Sequence, residues 1–466
     1  MSALPTPDAE LLRRYDRPGP RYTSYPTAPQ FRTSFGAAQL RECLARSNTQ
    51  PERRPLSLYL HIPFCLSPCF YCGCNRVITR DVARGARYTD RVLREIELLA
   101  PLLDRDREVV QLHLGGGTPN FLGQNTLTRL IDRVRRTFRL SEAAARDFSI
   151  ELDPRSVPEG YVAALARLGF NRVSLGVQDF EPDVQRAVNR IQSVDETLDL
   201  IDTCRDNGFH SLNVDLIYGL PRQTLEGFRR TLRTVISARP DRLAVYGYAH
   251  LPELFKAQRH IATAALPHPD ARLDLLRLAI EELTASGYRY VGMDHFALPD
   301  DDLVRAQEAG ELLRNFMGYT THANCDLIGV GASAISHIGD NFSQNLRDLK
   351  AWEAALDDGR LPVWRGLALS PDDRVRGAVI GGLMCQGLIE VATIERRYRI
   401  EFADYFKDAL ERLQPHLDDG LVCIEDGRIA ATPSGRPLLR SIAMCFDGYL
   451  NGPRSTSDAT PFSKVV

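Results

Sequence analysis

The sequence predicts an α/β fold: an open, partial (β/α)6 barrel with an arm before it and a small helical domain after it. Three observations predict this. Short, nearly continuous apolar runs recur along the chain, as expected of parallel strands buried on both faces. Helical patterns separate them, which is the rhythm of βαβ units. Six such units are visible, too few for a closed eight-fold barrel.

Residues 1–55 are rich in Pro, Arg and polar groups and read as an extended arm, with RPGPRYTSYPTAPQF at 17–31 and a short helix near 36–46. Strands are predicted at 57–64, 109–117, 148–153, 172–180, 210–219 and 242–250. A helix over 87–103 places Val92, Ile96, Leu99 and Leu103 at helical spacing. A helix over 194–209 ends at Gly208, a plausible C′ glycine. The barrel core is assigned to 56–300 and a connecting, substrate-loop region to 301–365. Residues 366–455 form a C-terminal domain of helices and a hairpin at 420–432 that turns at Asp426–Gly427. It reads either as a winged-helix-like module or as an α+β packing cap. Residues 456–466 read as a flexible tail.

The 466 residues carry 58 Lys plus Arg and 60 Asp plus Glu, a net charge of −2. No overall field exists to hold nucleic acid or an anionic membrane. No apolar run reaches the roughly 18 residues of a membrane span, and the first residues lack a signal peptide's apolar segment, so a cytoplasmic location is expected. Ten cysteines are too few for a disulfide scaffold. Cys65, Cys69, Cys72 and Cys74 fall within ten residues. Cys43, Cys204, Cys325, Cys385, Cys423 and Cys445 are solitary and read as small buried hydrophobes.

Three of the clustered cysteines follow C-x3-C-x2-C spacing directly after the first strand. Soft thiolates at such spacing suit a soft metal centre. Zinc favours paired knuckles, and no second pair is present. An iron–sulfur cluster with three protein ligands would leave one iron open to an external molecule. The spacing favours that reading over zinc or a metal-free loop. GGGTP (115–119) follows a strand, where glycines permit close backbone approach. Glu151 and Asp215 end strands at the mouth where barrel ligands gather. His113, His250 and His295 sit in strand-like segments and read as hydrogen-bonded core histidines.

The cysteine spacing resembles the radical S-adenosylmethionine (SAM) signature. The longer pattern HIPFC…C..CGCN, with Cys74 as a fourth cysteine, resembles the oxygen-independent coproporphyrinogen III oxidase family. PGPRYTSYPTA, HLGGGTP, ELDPR, SLGVQDF, NVDLIYGLP, YAHLP, GVGASAIS and AMCFDGYL also resemble it, in order, across nearly the whole chain. The resemblance implies a TIM-like radical SAM core in which Cys65, Cys69 and Cys72 each bind one iron of a [4Fe–4S] cluster. The open iron would chelate SAM, whose cleavage yields a 5′-deoxyadenosyl radical. Cys74 would not ligate. Gly116, Gly117 and Thr118 would contact the amino-acid part of SAM. Tyr59, Tyr71, Glu151, Gln178, Arg190 and Asp215 would line its surroundings. A second SAM would lie beside the first, near Ala249 and Ile335. His61 and Tyr59 are the catalytic candidates.

The implied substrate is coproporphyrinogen III, whose two decarboxylated propionates become the vinyls of protoporphyrinogen IX in haem biosynthesis. The implied partner is a small flavodoxin- or ferredoxin-like electron donor, and the implied state is a monomer. Arg21 and Arg222 are candidate partners for propionates. Tyr22 and Tyr25 would form a lid, or an arm docked for packing. One departure stands out: the family motif is expected to read NFQGY, and this chain has Met317 in that place. A paralogue with altered substrate is therefore an alternative. A haem chaperone on the same scaffold is another, although such relatives lack the fourth cysteine and the arm. A zinc-dependent regulator using the C-terminal domain is a third.

Overall fold

The computed structural model describes residues 8–322, 324–451 and 462–465. All six predicted strands form. They are β1 (Leu56–Ile62), β2 (Glu108–Gly116), β3 (Asp147–Leu152), β4 (Arg172–Gln178), β5 (Ser211–Tyr218) and β6 (Arg242–Gly247). They lie side by side in chain order and every neighbouring pair is parallel. In β1 only Tyr59 escapes full burial. Leu56, Leu58, Leu60 and Ile62 alternate along it with Ser57, Tyr59 and His61, and both sets are largely buried.

The sheet runs further than the six units. On the far side of β1 it continues through β7 (Asp326–Val330), β8 (Ile335–Ile338), β9 (Asn341–Asn345) and β10 (Val363–Ala368). β7 pairs parallel with β1; the rest are antiparallel. Much of the stretch 301–365, expected as connection, is therefore sheet. Its short antiparallel strands carry fewer buried aliphatic residues than β1–β6 do.

Helices cover the outer face. Ala83–Leu99 buries Val92, Ile96 and Leu99 and starts one turn before its predicted position. Val194–Asp206 ends at Asn207, and Gly208 follows with φ +82° as a C′ glycine should. The arm carries the expected helix, at Ala37–Asn48, and an unexpected one at Ala9–Tyr15. The C-terminal domain runs Pro371–Gln386 (helix), Leu388–Glu390 (strand), Val391–Tyr398 and Lys407–Asp418 (helices), then the hairpin Val422–Glu425/Arg428–Ala431. That order and its three-stranded sheet are winged-helix-like. Asp426 and Gly427 both have positive φ, as the tight turn requires. Of the tail, residues 462–465 are described and dock against the arm, with Pro18 bridged to Lys464; residues 456–461 and 466 lie outside the described residues. Among the described residues no helix is long and apolar enough to cross a membrane.

Candidate active site

The cysteine loop leaves the C-terminal end of β1 and faces the ends of β2 to β5. Cys65, Cys69, Cys72 and Cys74 line a cavity of about 250 Å³ with Tyr71, Gly116, Gly117, Thr118, Glu151, Gln178, Arg190 and Asp215. Residues spread over 150 positions thus meet in one place, because parallel strands present their ends to one mouth. Glycine is required at two of them. Gly116 has φ +115°, and a Cβ there would lie 2.4 Å from the His61 ring. A Cβ on Gly117 would lie 2.7 Å from the Pro63 backbone.

The three sulfurs of the motif all receive hydrogen bonds. Thr118 Oγ1 donates to Cys65 Sγ at 3.3 Å. Arg190 Nη1 and Arg155 Nη2 donate to Cys69 Sγ at 3.6 and 3.7 Å. The Cys74 backbone N–H donates to Cys72 Sγ at 3.4 Å. Such donors stabilise thiolate ligands. The Cys74 side-chain bond, ahead of the opposing effect of burial, holds the Cys72 thiol down at about 6. The sulfurs line a wall rather than converge. Among the described residues no three His, Cys, Asp or Glu are grouped closely enough to hold a single ion. The donor set therefore fits a multi-atom cluster better than a lone zinc.

Two arginines at the cavity, Arg155 and Arg190, are paired with one carboxylate, Asp153. Arg190 is buried and bonds Asp153 Oδ1 at 3.3 Å and the Gly176 carbonyl. Arg155 forms a fork with Asp153, its Nη2 at 2.6 Å from Oδ2. Asp153 and Arg155, in the ELDPR stretch, are thus part of the site although only the motif around them pointed there. Burial pushes Glu151 up, but bonds from His113 and the Gly116 N–H outweigh it and hold the carboxyl below its usual range. Burial and the Glu151 charge raise Asp215 to about 6, against bonds from Asn213 and Ser174.

A second cavity of about 330 Å³ adjoins the first and shares Cys74, Gly116 and Glu151 with it. Tyr59, His61, Met317 and Ile335 line it. His61 Nε2 meets the Asn75 carbonyl at 3.1 Å, an acceptor only, so this nitrogen carries the proton. Nδ1 then accepts from the Tyr59 hydroxyl at 3.0 Å. Burial depresses the His61 pKa. With both nitrogens engaged, His61 is a neutral bridge between β1 and the cysteine loop. Ala249 lines neither cavity. Its carbonyl and that of Tyr71 share the Gln258 amide, each at 3.0 Å, so it supports the cysteine loop from behind. His113 bonds Ser149 and Glu151 within the sheet, as expected, whereas His250 bonds Tyr248 from a partly exposed loop past the end of β6. Buried His295 Nδ1 has no partner among the described residues. Arg21 pairs with Asp294 at 3.5 Å and covers the Tyr246 ring, and Arg222 is exposed. Tyr22 and Tyr25 are buried against the C-terminal segment. Tyr22 donates to Asp447 and the Gly448 N–H donates to Tyr25, which is arm docking rather than an open lid.

The radical SAM superfamily model matches residues 59–235, and the HemN C-terminal domain model matches 369–438. An oxygen-independent coproporphyrinogen III oxidase of Pseudomonas aeruginosa is 50% identical over 98% of both chains. That of Escherichia coli is 47% identical over the same shares. The chain belongs to the oxygen-independent coproporphyrinogen III oxidase family. A solved structure described as coproporphyrinogen III oxidase from Escherichia coli, a radical SAM enzyme, superposes with a TM-score of 0.90 at 46% identity. It covers 95% of this chain and 99% of that one. The radical SAM core of the family implies a [4Fe–4S] cluster and SAM, and the cysteine-lined cavity is where this chain's residues suit them.

Proposed function

We infer that this chain oxidatively decarboxylates two propionates of coproporphyrinogen III to vinyls without oxygen, giving protoporphyrinogen IX. The observation that carries the reading is the single cavity joining Cys65, Cys69 and Cys72 to Glu151, Gln178, Arg190 and Asp215. Cys65, Cys69 and Cys72 would hold the cluster, with a first SAM in the same cavity against Gly116, Gly117 and Thr118. A second SAM would fill the adjoining cavity beside Tyr59 and Ile335. When bound, a reduced cluster and SAM would supply a carbon radical for hydrogen-atom abstraction. Each propionate side chain would give a hydrogen atom to that radical, one electron to an external one-electron acceptor, and CO2, leaving a vinyl.

The residues of this chain bind, orient and exclude water. The glycines let the backbone approach the cofactor. Arg190 and Arg155 fix Cys69, and Asp153 fixes both arginines. Ionised Glu151 is placed to meet a cationic ligand group. The Tyr59–His61–Asn75 chain holds the wall between the two cavities. The family resemblance supports a cytoplasmic monomer served by a flavodoxin- or ferredoxin-like donor.

The test is anaerobic: reconstituted protein, SAM, a reductant and coproporphyrinogen III. The expected products are protoporphyrinogen IX, CO2 and 5′-deoxyadenosine, with two SAM consumed per substrate. SAM cleavage without vinyl products would point to another substrate. Stable haem binding with no SAM cleavage would overturn the reading.

A further inference from the structure

A cavity larger than either the cysteine-lined one or its neighbour lies outside the cysteine site. It encloses about 680 Å³ between the arm, the end of β8, the helix Pro371–Gln386 and the hairpin Leu313–Asn315/Gly318–Thr320. Its walls are mixed. Tyr22, Tyr25, Phe316, Phe342 and Ile380 give it apolar surface, and Arg54, Arg314, Arg374 and Arg397 give it charge.

Most arginines around the cysteine cavity are neutralised by the chain's own carboxylates. These are not. Among the described residues only Arg374 has an ion pair, with Asp340 at 2.9 Å. Arg54, Arg314 and Arg397 have none. Arg314 lies over the Tyr319 ring at 4.8 Å, and its Nε and Nη1 are buried with no hydrogen-bond partner. A buried guanidinium with idle donors is costly unless a ligand completes it. The other carboxylate on the wall, Asp373, is occupied: it accepts from the Ser370 N–H and hydroxyl and from the Tyr449 hydroxyl. The cavity is thus a broad chamber of mixed wall with three arginines free of carboxylate partners among the described residues: Arg314 carries buried idle donors, Arg54 is half-buried and Arg397 stands exposed at the rim. Ligand chambers of this kind typically span roughly 300–1,000 Å³.

The hairpin connects this chamber to the cofactor side. Leu313 to Phe316 face the large cavity, and Phe316 and Met317 face the cavity of Tyr59 and Ile335. Phe316 is a wall of both.

We propose that the arginine-rimmed cavity is the chamber for a tetracarboxylate macrocycle, with Arg54, Arg314 and Arg397 pairing its propionates and Phe316 forming the partition to the cofactor cavity. The inference rests on the reading under Proposed function and names a substrate site for it. An apolar ring would lie against the tyrosine and phenylalanine faces. The rim carboxylates would complete the idle guanidinium donors. The propionate edge nearest Phe316 would lie against the partition that separates the chamber from the cofactor side.

The test measures binding rather than turnover. Coproporphyrin III, the oxidised ring with the same four propionates, is titrated into the reconstituted protein and followed by fluorescence. Arg314→Gln is expected to weaken binding by about tenfold or more, the size of a lost charge-assisted bond. Arg54→Gln combined with Arg397→Gln should weaken it further. Arg314→Lys should recover part of the loss. Arg222→Gln, on the exposed surface, should change nothing. A ring of similar size without carboxylates should bind weakly, and equally to all variants. Cluster absorbance reports that each variant is folded and loaded. Unchanged affinity in Arg314→Gln and in the double variant would overturn the chamber assignment while leaving the proposed reaction standing. No SAM cleavage by the unaltered protein would overturn the reaction itself.

Discussion

The two arginine-bearing regions of this molecule treat charge in opposite ways. Around the cysteine loop, Arg155 and Arg190 are tied to Asp153 and to Cys69, so the cavity is set before any ligand arrives. In the large chamber, Arg54, Arg314 and Arg397 have no carboxylate partner among the described residues. Pre-paired charges hold a shape, whereas unpaired ones await a ligand. A site that holds a permanent cofactor needs the first, and one that takes and releases an anion needs the second.

The comparison can be broken at several points. Cys69→Ala should have the largest effect: loss of cluster absorbance, of acid-labile sulfide and of SAM cleavage together. Arg190→Gln should come next. It leaves Asp153 with Arg155 as its remaining partner and removes a donor to Cys69, so the loss should be on the order of 1–3 kcal/mol, the cost of a lost charge-assisted hydrogen bond. Thermal unfolding should show a clear drop in Tm. Arg314→Gln is its counterpart and should lower Tm much less, because it breaks no ion pair and loses only the stacking on Tyr319. Equal destabilisation by the two would erase the distinction between the regions.

A pH series sharpens the cofactor side. Asp215 is held up at about 6, so the folded state binds its proton more tightly than the unfolded chain does. This tighter binding makes folding less favourable as pH rises from about 4 to 6, and the penalty is constant above that. Asp215→Asn removes the penalty. Its Tm relative to the unaltered protein should rise across that window and not differ at pH 4. The smallest expected effect belongs to Met317→Gln. Its side chain faces the second cavity, and an added amide should lower the KM for SAM by less than about tenfold. The cluster spectrum should not change.

The sequence carried most of the fold's repeating part. Strands β1–β6 were legible because aliphatic and aromatic residues recur along each of them, with at least half of each strand's positions buried. Gly208 and Asp426–Gly427 were legible because positive φ restricts the residue type. The cysteine loop was legible because metal ligands there are close in sequence. The strands β7–β10 were not, since their segments are short and partly polar, with Ser336, Gln344 and Asn345 buried through hydrogen bonds. The role of Asp153 was hidden because the fork with Arg155 and Arg190 shows only once β3 and β4 are neighbours. The four arginines of the chamber come from four distant places, and no local pattern joins them. Arg21 and Arg222 stood in more familiar motifs, yet neither lines the chamber.

The docked arm has a consequence for how the protein is made. Arg440 donates to the carbonyls of Gly19, Pro20 and Lys464, clamping the arm from a position 421 residues downstream of Gly19. A ribosome adding about 5–20 residues per second needs on the order of 20–80 s to cover that distance. For all that time the arm has no clamp, and the chamber it walls stays unroofed while β1 and its cysteine loop are already outside the exit tunnel. Metal delivery can therefore precede closure, and the roof of the chamber is among the last parts of the nascent chain to settle.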